Sequence, residues 1–146
     1  MIHVSIKGRI AKKHHIIHFI GDTFDYLMPR LRRNVDIDIE IVNKIIENPT
    51  HYAQCSGDKN SAEIILCRYD ENGNRFSLDE MVLNLAHELV HAKQYFKREL
   101  SPVRQTWKGK DHSKTSYARA PWEREAYGKE IKIYNMFWCG REHFIE

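Results

Sequence analysis

The segment SLDEMVLNLAHELVHAKQYFKREL, residues 77–100, constrains this chain more than any other stretch. Its helical start is written locally. Ser77 as N-cap and Glu80 three residues on form an S-x-x-E capping box, and Phe76 and Met81 are placed as the hydrophobic staple. Lys97 and Arg98 suit the negative end of the helix dipole, and Pro102 stops continuation. A helix turns about 100° per residue, so His87 and His91 lie within roughly 40° of each other. Asn84 and Gln94 share their side, while Met81, Leu85, Leu89, Ala92 and Phe96 lie opposite. The expectation is a helix that buries an apolar stripe and carries its histidines on a separate polar stripe.

His87-Glu88-Leu89-Val90-His91 is an H-E-x-x-H pattern. One turn of separation lets both imidazoles reach a single Zn²⁺ at about 2.1 Å. Glu88 falls about 100° round from His87, where it can hold a water without ligating the metal, as a general base must. The residue counts of this chain give ~0.04 chance matches to the pattern, so the motif competes with an ordinary solvated His-Glu-His face. The helix cap, the separated faces and the strands upstream favour metal, with one Zn²⁺ per chain expected.

Catalytic zinc usually takes three protein ligands and a water. His112, Glu123, Glu125 and Glu130 are the downstream candidates. Pro121 suits the first position of a last helix over 121–138, with Gly140 just past its end. On that helix Trp122, Ala126, Ile133, Tyr134 and Phe137 make an apolar arc that includes Glu123 and Glu130, with Glu125 at its margin. A carboxylate on a buried face needs a partner, and a metal ion is one; an Arg or Lys in the core is another. Glu123 is the first choice, with Glu125 and His112 as alternatives.

His87-Glu88-x-x-His91 followed by Glu123-x-x-Ala126 on a later helix resembles the gluzincin metallopeptidases, in their minimal form, over roughly residues 13–138. The resemblance implies a zincin-like α+β fold: a backing helix, a small three-to-four-stranded sheet, the H-E-x-x-H helix and a C-terminal glutamate helix. It implies a zinc metalloendopeptidase with His87, His91 and Glu123 as ligands and Glu88 as general base. It also implies that the strand before the active-site helix, here within 61–69, pairs with an extended peptide or protein substrate. Thermolysin-like members place an acid four residues after the glutamate ligand to orient a histidine. Tyr127 stands there instead, and its hydroxyl is the expected weaker partner. Tyr117 and His112 are the candidate donors to an oxyanion.

HELVHAKQY, WKGKDH and PWEREAY together are similar to uncharacterised proteins of tailed phages. A second likeness is to SprT-like proteases, which act on proteins bound to DNA and take a later histidine as third ligand; GKDHS puts His112 in that role. A third reading is a non-catalytic zinc module that binds nucleic acid or a protein. Residues 93–119 hold eight Lys/Arg against Glu99 and Asp111, with Tyr95, Trp107 and Tyr117 interleaved. That is either a basic rim for acidic substrate or DNA, or a solvated loop with snorkelling lysines, the latter favoured.

The rest of the chain reads as strand 2–7, amphipathic helix 13–32 disturbed by Pro29, and strand 35–42 in strict alternation. A helix-like NKIIENP follows, then a hairpin of 51–57 and 61–69 across GDKN, and a polar loop at 70–75. The order of elements is α+β. A length of 146 residues suits one domain, 1–146. Cys55, Cys67 and Cys139 include no C-x-x-C, which suits a reducing compartment and excludes thiolate zinc knuckles. No secretory h-region and no apolar run of ~18 residues occur, so a cytoplasmic protein without a membrane partner is expected, acting in the host cytoplasm if the phage likeness holds.

Overall fold

The computed structural model describes residues 1–47, 50–101 and 105–139. The chain runs β1 (Ile2–Lys7), α1 (Lys13–Leu27), β2 (Val35–Val42), β3 (Ala53–Gly57), β4 (Ser61–Cys67), α2 (Leu78–Phe96), β5 (Thr106–Trp107), β6 (Lys110–Asp111) and α3 (Pro121–Tyr134). The fold is α+β: three helices and a mixed four-stranded sheet in the order β1-β2-β4-β3, with a separate β5-β6 ribbon. β1, β2 and β4 are mutually parallel, and β3 returns antiparallel to β4. None of the helices among the described residues is long and apolar enough to cross a membrane.

β2 shows why the layers form. Val35, Ile37, Ile39 and Ile41 are buried and the acids between them are exposed, so the period-two alternation gives the sheet one face to cover. Phe19, Ile20 and Phe24 of α1 and Leu85, Leu89 and Phe96 of α2 join that face in one core cluster. Phe24 and Phe96 meet with ring centroids 5.8 Å apart. The hairpin forms across GDKN as expected. Asp58 Oδ1 accepts from Asn60 N at 2.8 Å and Ser61 N at 3.0 Å, and Gly57 is required because a Cβ there would lie 2.6 Å from Ser61 O.

Several boundaries differ from the sequence reading. Helix α1 ends at Leu27, not near residue 32, because the residue before Pro29 is pushed out of helical geometry; Leu31 packs on the core from the connection instead. NKIIENP forms no helix over 43–47: Ile45 is buried, Ile46 is 88% exposed, and so short a β-branched stretch makes a turn at 46–47 but does not nucleate a helix. Asn48 and Pro49 of that stretch lie outside the described residues, as do Pro102 and Gly140. The expected loop after α2 contains the β5-β6 ribbon, turned by Lys108 and Gly109 at φ 51° and 87°. α3 passes into one π-type turn, Asn135–Cys139, where Trp138 Nε1 donates to Asp79 Oδ1 at 2.8 Å and ties the end of α3 to the start of α2.

Candidate metal centre

α2 begins as its sequence dictates. Ser77 Oγ accepts from Glu80 N at 3.1 Å and Glu80 Oε1 accepts from Ser77 N at 2.9 Å, the complete capping box. The histidines stand on the side away from the core stripe, as expected, but that side is not solvated. His87, Glu88 and His91 are 8%, 6% and 7% exposed. β3 and α3 both pack against α2.

α3 supplies Glu123, itself 7% exposed, on the same buried face as Ala126 and Ile133. Glu123 Oε1 lies 3.0 Å from His87 Nε2 and 3.2 Å from His91 Nε2, and the two Nε2 atoms are 3.2 Å apart. Ligand pairs on a tetrahedral ion with bonds of about 2.1 Å sit about 3.4 Å apart, close to these spacings. Two imidazoles and one carboxylate, buried together, can therefore hold a metal ion.

The electrostatics point the same way. Burial pulls the His87 imidazole down, but hydrogen bonds to Glu123 and Glu130 outweigh it and lift it to about 9. Burial pushes Glu123 up, and His87 and His91 outweigh that and hold it near about 2. The cluster attracts positive charge, and a divalent cation competes with protons for the same lone pairs. Glu88 sits beside it, its carboxyl raised by burial against the lowering fields of His91 and His87.

Each histidine is braced at Nδ1, which frees Nε2 for a metal. His91 Nδ1 donates to Gln94 Oε1 at 2.8 Å. Gln94 Nε2 donates to Trp122 O at 2.8 Å and Glu125 Oε1 at 3.0 Å. Glu125 Oε2 accepts from Lys93 and Lys129, each at 2.7 Å, and Lys93 also meets Glu99 at 2.8 Å. His87 Nδ1 lies 3.5 Å from Glu130 Oε1. Gln94 was legible only as a neighbour on the histidine side; nothing in the spacing revealed that it links His91 to α3.

Other candidates take other places. Glu125 is not in the ligand group; it ends the relay behind His91. His112 is outside it too: its Nδ1 meets Thr115 Oγ1 at 3.0 Å and its ring stands edge-on to Trp122. Tyr127 does not accept from an imidazole. Its ring packs at 4.5 Å against the His87 ring and its hydroxyl meets Tyr117 Oη at 3.3 Å. The acid on His87 is Glu130, seven residues beyond Glu123 rather than four.

Two cavities flank the cluster. One of about 200 Å³ is walled by Cys55, Tyr95, Leu100 and Trp122, the other of about 330 Å³ by Tyr52, Asn84, Tyr127 and Glu130; both reach His87, Glu88 and Tyr117. β4 cannot take a further strand, because β2 and β3 occupy both its edges; the edge strand, which also lines the cavities, is β3. Among the described residues no Lys or Arg lines either cavity, Lys93 is 4% exposed within its ion pairs, and Lys108 lies over the Trp107 ring.

The relay gives an acid-stability expectation. Burial raises Glu125, but hydrogen bonds from Lys129, Lys93 and Gln94 hold it down at about 2. Its folded pKa is below the unfolded value, so its contribution is complete above about pH 4.5 and is lost as pH falls toward 2. Thermal unfolding of Glu125→Gln should accordingly show a shallower pH dependence over that window than the parent. An unchanged slope would show that the Lys93–Glu125–Lys129 cluster does not stabilise the fold.

Comparisons with protein-family models, with curated proteins and with solved structures give no match to this chain.

Proposed function

We propose that this chain is a zinc-dependent peptide hydrolase of the gluzincin type. One observation carries the reading: His87 Nε2, His91 Nε2 and Glu123 Oε1 converge within 3.0–3.2 Å beside a buried Glu88, at the meeting of two cavities. Three protein ligands leave a coordination position open, the arrangement of catalytic rather than structural zinc sites. The zincin-like reading of the fold is supported by the antiparallel edge strand beside the H-E-x-x-H helix. The SprT-like alternative loses support because His112 is engaged with Thr115.

A zinc ion held by His87, His91 and Glu123 supplies Lewis acidity toward a carbonyl oxygen and a water. Glu88 takes one proton from the attacking water as its oxygen bonds to the peptide carbon. It returns that proton to the amide nitrogen as the C–N bond breaks. Burial raises the Glu88 carboxyl, the direction that suits a group that must both accept and release a proton. Tyr117 reaches both cavities, and its hydroxyl, 3.3 Å from Tyr127 Oη, is the donor for the developing oxyanion. Ala53, Gln54 and Cys55 of edge strand β3 offer backbone groups to an extended peptide.

The test is metal analysis of the purified protein with digestion of a random peptide library. The expected result is about one zinc per chain and cleavage that a chelator stops and added zinc restores. A zinc-loaded protein that leaves every library peptide intact would make the site a structural brace.

A further inference from the structure

We propose that the cavity walled by Asn84 and Glu130 takes a cationic group of the substrate, an ammonium or guanidinium, beside the scissile bond. The inference rests on the hydrolase reading for the word substrate, but not for the binding.

The walls make the case. The cavity measures about 330 Å³, at the lower end of the roughly 300–1,000 Å³ of small-ligand sites and sufficient for one long side chain. Glu130 lines it with only 16% of its side chain exposed. Oε1 of Glu130 is committed to His87 Nδ1 at 3.5 Å, while the described residues supply Oε2 with no hydrogen bond. The Asn84 side-chain amide, on the same wall, likewise has no hydrogen-bond partner among the described residues. The largely buried Glu130 carboxylate and the Asn84 amide line one cavity and offer it acceptors. Tyr52 and Tyr127 add aromatic rings, whose faces attract a Lys or Arg head group. Glu71 and Asp70 near the Tyr52 hydroxyl raise its pKa, which places two further acids beside this wall. Among the described residues no Lys or Arg lines the cavity; its basic side chains are His51 and His87, and His87 is already engaged by Glu123 and Glu130.

The other cavity differs. Gln54 and Tyr95 line it beside Cys55, Leu100 and Trp122, but Glu130 does not. Apart from Glu88, which both cavities share, the acid outside the ligand group therefore lines only the Asn84 side.

Two measurements test this. The first is binding of butylguanidinium, with hexanoate as control, followed by NMR of the folded chain with and without zinc. Shifts are expected at the Asn84 amide and at the Tyr52 and Tyr127 rings with the cation only. Asn84→Asp should tighten binding and Glu130→Gln should weaken it about tenfold, the scale of one charge-assisted hydrogen bond. The gain in Asn84→Asp is an effect that misfolding cannot mimic. The second is cleavage of peptide libraries with free and N-acetylated termini. Preference for Lys or Arg next to the cut in both libraries identifies a side chain as the cation, and loss of cleavage on acetylation identifies the α-amine. No cation-specific shift at Asn84, or equal shifts with hexanoate, overturns the proposal even if peptides are cut. Cation binding in a protein that cuts no peptide upholds the subsite and refutes the hydrolase reading instead.

Discussion

Glu123→Ala should cost metal affinity far more than Glu125→Ala, although the two acids are neighbours on one helix turn. Glu123 Oε1 is within 3.0–3.2 Å of both histidine Nε2 atoms, so its removal deletes one of three donors. Glu125 touches no ligand atom of the cluster. It holds Gln94, which holds His91 Nδ1. Loss of a supporting partner typically costs about 10–100-fold in affinity, which sets the expectation for Glu125→Ala and a lower bound for Glu123→Ala. The His87→Ala, His91→Ala double variant should hold no stoichiometric zinc. Competition with a chromophoric chelator measures all three. A larger loss in Glu125→Ala than in Glu123→Ala would mean that the metal sits elsewhere than between Nε2 atoms and Glu123. Circular dichroism separates this from unfolding, since Glu123→Ala also leaves two buried imidazoles without their carboxylate.

What the sequence disclosed follows the range of the forces involved. The capping box, the i,i+4 histidines and the alternation of β2 are set by residues within one turn or one strand, and all stand as read. The burial of Glu123 followed from helical periodicity on α3, again local information. The misreadings at the site all concern neighbours supplied by another element, whereas the overlong α1 and the helix expected at 43–47 were local errors. The hairpin signal fixed that β3 and β4 pair, but not that β4 also pairs with β2 and so loses its free edge. Lys93 belongs to a run of cations that reads as solvated; Glu99 from the turn after α2 and Glu125 from α3 close over it. Seven residues bring Glu130 back to within about 20° of Glu123, so its place on the arc was legible, whereas its contact with His87 Nδ1 depends on how α3 crosses α2. The expectation for Tyr127 failed because a phenol packed ring-to-ring on His87 directs its hydroxyl away, to Tyr117.

Glu88→Gln should keep the metal and the fold and lose the hydrolysis. The amide is nearly isosteric with the carboxyl, and Glu88 is outside the His87, His91, Glu123 ligand group, so zinc stoichiometry should match the parent. Stability should not suffer. Burial raises the Glu88 pKa above its unfolded value, so the ionised form weighs against the fold at every pH above about 4.5, and a neutral amide escapes that penalty. The midpoint of thermal unfolding at pH 7 should therefore equal or exceed that of the parent. Activity should fall steeply, because glutamine can neither take the proton of the attacking water nor deliver it to the leaving amine. Positioned proton transfer contributes about 10²–10⁴-fold, and a loss of that size should appear in kcat with little change in KM. Zinc lost from Glu88→Gln would make Glu88 a ligand rather than a base. Cleavage retained within tenfold of the parent, with zinc bound, would remove Glu88 from the chemistry altogether.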